Sequence, residues 1–171
     1  MSIKLKQKYF VLLDDDFFFT KKTNLEELQR VIECNDFDMV GFDFFDYGFC
    51  KRNFQGLYEI KGETLISKIG MSRDKINGYK QYDYILNCFI GRTDFFKVNG
   101  WDEKIKIGSE HDDFFLNIKQ LKPKITHITN VSISHYPKYT KEYKSFRKGR
   151  FEKYFFIFLK KNKLKKRHQR R

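Results

Sequence analysis

Three consecutive aspartates, Asp14-Asp15-Asp16, follow the apolar run Tyr9-Phe10-Val11-Leu12-Leu13. Adjacent carboxylates repel one another, and a short apolar strand has no folding reason to end in three of them. Side chains alternate along a strand, so Asp14 and Asp16 project to one side and Asp15 to the other. Two hard oxygen ligands on one side suit Mg2+ or Mn2+, which takes one or two protein carboxylates together with substrate phosphates. The structural alternative is an acidic, solvated turn between the strand and a helix that begins near Thr23. A second acidic cluster, Gly108-Ser109-Glu110-His111-Asp112-Asp113, leads into Phe114-Phe115-Leu116. The helix dipole favours acids in a first turn, which accounts for Asp112 and Asp113. Glu110 and His111, predicted to lie ahead of that turn, need another explanation. Trp101, the only tryptophan, stands a few residues earlier in Asn99-Gly100-Trp101-Asp102-Glu103. An aromatic wall, a glycine bend and carboxylates together would suit a sugar stacked on the indole face, with a core tryptophan as the alternative.

The elements that must position these groups follow from periodicity. Phe10 to Leu13 reads as a buried strand. Asn24 to Cys34 carries Leu25, Leu28, Val31 and Ile32 at helical spacing, and Phe37 to Phe45 reads as a second strand that can pair in parallel with the first. Strand, helix and strand make a βαβ unit. Asp46 to Lys80 is punctuated by five glycines and reads as short hairpins. Tyr84 to Gly91 is a further strand. Thr93 can cap a helix running to Val98 and ending at Asn99-Gly100. Asp112 to Leu121 reads as a helix with Pro123 beyond it, and Ile125 to Ser134 is β-rich. From Lys141 the chain is predicted to be helical and then to end as a disordered basic tail.

Composition bounds the rest. At 171 residues the chain is one domain with room for a core. The net charge of +13 is uneven: Met1 to Pro137 holds 20 basic and 20 acidic residues, whereas Lys138 to Arg171 holds 15 basic residues against Glu142 and Glu152. A neutral body argues against a nucleic-acid-binding core, so no specific nucleic acid is expected as a partner. The basic end leaves open a contact with phosphates, such as an anionic membrane surface. Cys34, Cys50 and Cys88 form no CxxC pair and fit a reducing compartment. The N-terminus lacks a signal-peptide pattern. The apolar run Tyr154 to Leu159 is far short of the roughly 18 residues that span a bilayer. These features predict a cytoplasmic, soluble or peripheral protein.

The segments YFVLLDDDFFFT, VGFDFF, LNCFIGRTDFFKVNGWDEKIKIGSEHDDFFLNIK and ISHY occur in the order seen in GT-A fold glycosyltransferases. The set resembles the beta-1,4-N-acetylgalactosaminyltransferase type and related family-2-like enzymes, over roughly Tyr9 to Tyr136. The resemblance implies an α/β fold: a partial GT-A domain with a mixed sheet flanked by helices over residues 1–150, and a basic tail over 151–171. It implies an inverting, Mn2+- or Mg2+-dependent transfer of a sugar from a nucleotide-diphosphate donor, expected to be UDP-linked, to a glycan or other hydroxyl acceptor. Asp14 and Asp16 resemble the DxD pair. Asp16 is then the direct metal ligand, Asp14 faces the ribose or a metal-bound water, and Asp15 is a further donor-side residue. His135 resembles the late histidine that completes the metal site, with a satisfied strand-end histidine as the alternative. Asp113 leads the candidates for catalytic base, followed by His111 and Glu110. Asn87 and Arg92 are implied donor contacts and Trp101 an acceptor platform. The family's nucleotide-binding strand–helix units normally precede the DxD strand, so half of the donor pocket is expected to be missing from this chain, and the strand before the DxD to form an exposed sheet edge. The competing readings are an inactive glycosyltransferase fragment serving as a binding or membrane-associated module, and a metal-dependent nuclease or phosphotransferase built on the same carboxylates.

Overall fold

The computed structural model describes residues 6–137 and 140–170. In chain order its elements are β1 (Tyr9–Leu13), β2 (Phe17–Phe18), α1 (Leu25–Cys34), β3 (Met39–Asp46), β4 (Cys50–Arg52), β5 (Gly56–Lys61), β6 (Thr64–Ile69), β7 (Arg73–Ile76), β8 (Tyr79–Gln81), β9 (Cys88–Arg92), α2 (Thr93–Val98), α3 (Glu110–Lys119), β10 (Ile125–His135), α4 (Lys141–Lys161) and β11 (Lys166–Arg170). The main sheet is mixed and runs β1-β9-β3-β10-β8-β7, with β2 added to β10 and β4 to β3. A second sheet has the order β11-β6-β5.

The period-2 pattern of the strands divides the core into two layers. Val40, Phe42 and Phe44 of β3, with Cys88 and Ile90 of β9, pack with Leu28, Val31 and Ile32 of α1. Met39, Phe89 and Ile125 face the other way, onto Phe96 of α2, Phe114, Phe115 and Ile118 of α3, and Phe158 of α4. Asn24 starts α1 by accepting the Glu27 backbone N–H at 2.9 Å. The β7–β8 hairpin turns on Asn77-Gly78, both at positive φ (50° and 84°), the backbone that a two-residue type I′ turn requires.

Three expectations are corrected. The first two long strands, β1 and β3, point the same way but do not pair. The antiparallel β9 lies between them and hydrogen-bonds both. Strand β1 does lie at an edge of the sheet. Thr93 is the first residue of α2 rather than its cap, and its hydroxyl caps nothing. The basic end is folded rather than disordered: α4 runs to Lys161, Leu164 is buried, and β11 pairs in parallel with β6 over five residues. The physical reason is an open edge on β6 together with a buried carboxylate, Asp112, which Arg167 meets at 2.5 Å. Lys138 and Arg171 of the basic segment lie outside the described residues. No helix of the described residues is long and apolar enough to cross a membrane. All three cysteines are free, Cys88 buried and the others exposed.

Candidate active site

Because β1, β3 and β10 run in one direction, their carboxyl ends meet at one margin of the sheet, the margin where open α/β sheets bind ligands. Asp14, Asp15 and Asp16 follow β1. Asp46 ends β3 and His135 ends β10, directly opposite each other in register. The antiparallel partner β9 begins with Cys88 opposite Leu13, which brings Asn87 to the side of Asp14. The aspartate turn is held by the Phe17 N–H donating to the Asp14 carbonyl and the Tyr136 N–H donating to the Asp16 carbonyl, at 3.4 and 3.0 Å. Burial pushes the Asp14 carboxyl above the usual range even though the residue sits on an exposed turn, and the hydrogen bond with Asn87 pulls it back.

His135 bridges two of these carboxylates. Its Nδ1 is 2.6 Å from Asp46 Oδ1 and its Nε2 is 3.2 Å from Asp16 Oδ2. Asp46 is itself fixed by Arg52 Nε at 2.5 Å. Burial raises the Asp46 carboxyl, but the hydrogen bonds from His135 and Arg52 outweigh it and hold the group below its ordinary value. A buried, ionised Asp46 can only accept a hydrogen bond, so it takes one from the His135 Nδ1–H, fixes the ring and leaves Nε2 toward Asp16. Carboxylates behind metal-binding histidines do this.

Among the described residues, no three His, Cys, Asp or Glu side chains group to hold a metal ion. The two that converge are Asp16 and His135. Neighbouring ligands of an octahedral ion with bonds of about 2.1 Å are about 3 Å apart, and Asp16 Oδ2 and His135 Nε2 are 3.2 Å apart. One carboxylate and one imidazole, with water and phosphate oxygens in the remaining positions, fit Mn2+ or Mg2+.

The second acidic cluster opens α3, whose first residue is Glu110. All four of its chemical groups therefore belong to the first turn, two residues earlier than the periodicity places it. The cluster then divides. Glu110 and His111 line a cleft of about 790 Å3 together with Asp14, Asp15, Asp16 and His135, a size suited to a small-molecule ligand. Glu110 Oε2 is buried without a hydrogen-bond partner, and burial raises the carboxyl against the pull of the Glu110 and Ser109 backbone N–H groups. Burial lowers His111 to about 4, so the ring is neutral at pH 7. Its Nε2 is 3.8 Å from Glu110 Oε1.

Asp112 and Asp113 turn away from the cleft. Asp112 accepts from the Tyr58 hydroxyl at 2.7 Å and pairs with Arg167. Asp113, expected to be the leading base, is 1% exposed. It accepts from Lys161 at 2.6 Å, Asn162 at 3.0 Å and Asn117 at 3.1 Å. A carboxylate held by three donors beneath the helix is a clamp between α3 and the end of α4. Trp101, half-buried, packs against the core and not into the cleft lining, stacked on Phe114 with ring centroids 4.3 Å apart, because the aromatic layer around Phe96 offers the indole a larger apolar contact than solvent does. Arg92 pairs with Asp36 and Asp94 at the far end of β9, opposite Tyr9 rather than Asp14.

Three residues of the site escaped the sequence reading. Asp46, which stands behind His135 rather than in the cleft lining, carried a usable signal, since it ends an apolar strand much as Asp14 follows one. Lys106 and Arg147 line the cleft itself. Arg147 lies in the basic segment, where it had no mark to distinguish it from its neighbours.

The chain is 29% identical over 118 residues to human beta-1,4 N-acetylgalactosaminyltransferase 1, and 29% identical over 119 residues to each of the rat and mouse proteins of that name. The aligned part is 64% of this chain and 22% of those proteins, so the chain spans about a fifth of the length of the curated relatives it matches. No family model matches the chain. No solved structure matches it. The observed architecture is a mixed α/β sheet flanked by helices, and the distant likeness supports a relationship to glycosyltransferases.

Proposed function

We propose that this chain carries catalytic residues of a metal-dependent glycosyltransferase of GT-A type. The reaction transfers a sugar from a nucleoside-diphosphate donor to a hydroxyl acceptor, with inversion at the anomeric carbon. The observation that carries the reading is one cleft holding a convergent Asp16–His135 pair and, on α3, a desolvated Glu110. Asp16 and His135 would hold Mn2+ or Mg2+, which supplies charge stabilisation for the departing diphosphate. Asp46 fixes the His135 ring. Asn87 holds Asp14 at the donor side. Glu110 takes the proton of the attacking acceptor hydroxyl, since it lines the cleft and its raised affinity for a proton suits a general base. His111, neutral beside it, narrows the site without adding positive charge. Asp113 is assigned to structure and not to proton transfer.

The test is calorimetry of the chain with UDP-sugars in the presence and absence of Mn2+. Metal-dependent binding that disappears in Asp16→Ala supports the reading, and absence of such binding to every nucleotide sugar tried overturns it. The second reading, a non-catalytic glycosyltransferase-like module, is favoured by the two-residue metal set. It predicts metal-dependent nucleotide binding with no sugar transfer to any acceptor.

A further inference from the structure

The charges lining the cleft are lopsided. Asp14, Asp15, Asp16 and Glu110 face it, and its only cations among the described lining residues are Lys106 and Arg147. Neither is within ion-pair distance of a carboxylate among the described residues, although Lys106 is near enough to Glu103 to lower that carboxyl, whereas Lys51, Arg52, Arg73, Arg92, Lys119, Lys161 and Arg167 all form direct pairs. Arg147 is placed by α4, where the Tyr143 hydroxyl accepts from one guanidinium nitrogen at 3.1 Å. That leaves the remaining N–H donors of its planar fork for a ligand. Its charge is close enough to Glu110 to pull that carboxyl's proton affinity down. Gly108 lets α4 approach: a Cβ at this position would collide with the Phe151 ring.

From this arrangement we propose that Arg147, with Lys106, forms the binding site for the diphosphate of the donor, in the same cleft as the aspartate turn. The inference rests on the glycosyltransferase reading and deepens it. A single divalent ion among three aspartates leaves the site negative, so an incoming diphosphate meets net repulsion unless cations stand on its far side. Arg147 supplies a bidentate contact and Lys106 a point charge.

The experiment measures binding of UDP, uridine and inorganic pyrophosphate in Mn2+ by calorimetry, for the full chain, Arg147→Ala, Arg147→Lys, Lys106→Ala and Arg150→Ala. Arg150 is the control because its loss removes the same charge from the same helix and it is not among the cleft's lining residues, its guanidinium lying over the ring of Phe146, which is. The expected result is at least tenfold weaker binding of UDP and pyrophosphate in Arg147→Ala. A smaller loss is expected in Lys106→Ala, an intermediate one in Arg147→Lys, and no change in Arg150→Ala. Uridine binding and Mn2+ affinity should not fall in any of them, since removing a cation cannot weaken a cation's site by charge. Equal UDP affinity in Arg147→Ala and the full chain would overturn the inference while leaving the glycosyltransferase reading intact. An equal loss in Arg150→Ala would also overturn it, by reducing the effect to long-range charge. Arg147-dependent binding of pyrophosphate with none of UDP would keep the diphosphate site and remove the nucleotide-sugar donor.

Discussion

The division of the acidic cluster makes a sharp prediction for the pair Glu110→Gln and Asp113→Asn. Asp113 accepts three hydrogen bonds, one from a lysine, at a position 1% exposed. Removing one partner of a fully buried ion pair costs about 3–5 kcal/mol. The Lys161 side chain is 34% exposed and keeps Asp102 at 2.8 Å, which reduces the expected cost to about 2–3 kcal/mol. With a urea slope of about 2–3 kcal/mol per molar for a domain of this size, the denaturation midpoint of Asp113→Asn should fall by about 1 M. Glu110→Gln is isosteric and removes a carboxyl whose Oε2 has no partner, so its midpoint should stay or rise. Transfer should behave in the opposite way. Loss of a general base lowers the rate by about 10²–10⁴-fold, so Glu110→Gln should be nearly inactive and Asp113→Asn, assayed well below its midpoint, should retain activity. The pH profile adds a signature. A base must be ionised, so the rate should rise with pH through a value above the ordinary glutamate range, and this limb should vanish in Glu110→Gln. An Asp113→Asn protein that keeps its urea midpoint but loses transfer, beside an active Glu110→Gln, would refute the assignment.

Asp46→Asn should weaken Mn2+ binding by about 10–100-fold without unfolding the protein, because an amide fixes the His135 ring less firmly than a carboxylate; Mn2+ titration by electron paramagnetic resonance reads this directly. His111 is lowered to about 4 from an ordinary value of 6.5 by burial, so the unfolded chain takes up a proton first as pH falls. Its contribution to stability is complete above about pH 6.5 and is lost towards pH 4, by at most about 3 kcal/mol; thermal melts should show an acid-labile window that shrinks in His111→Phe. Phe158→Ala should cost about 3–5 kcal/mol, since the ring is fully buried and anchors α4 to the core, and a loss below 1 kcal/mol in urea melts would mean that α4 is not docked there.

How much of this was legible beforehand differs by element. Apolar period and punctuation located β1, α1, β9 and α2 to within a few residues, because the Leu25–Ile32 stripe and the Asn99-Gly100 stop act locally, and marked Asp46 to Lys80 as hairpins without giving their strands. Pairing order was not legible: nothing in Tyr9–Leu13 or Met39–Asp46 states that β9, some forty residues further on, will lie between them. The end of the chain was misread for a related reason. Lysines and arginines read as solvated when counted, yet Arg167 is fixed by a carboxylate more than fifty residues away, and Leu164 and Phe158 enter the core among them.

The site shows where the limit lies. Asp14 to Asp16 could be picked out because three carboxylates after an apolar strand conflict with the strand's own physics, and that conflict is visible within eight residues. In Glu110-His111-Asp112-Asp113 the dipole accounts equally for three acids of one first turn and leaves only His111 unexplained, so the sequence does not say which carboxylate does chemistry. What separates them is what stands opposite each: Lys161 and Asn162 at the end of α4 for Asp113, Tyr58 and Arg167 for Asp112, and the open cleft for Glu110 and His111. The two saturated carboxylates hold α3 against α4 and β11. By doing so they keep Glu110 and His111 on the cleft that the aspartate turn also lines, which makes the structural pair the reason that the chemical one is in place.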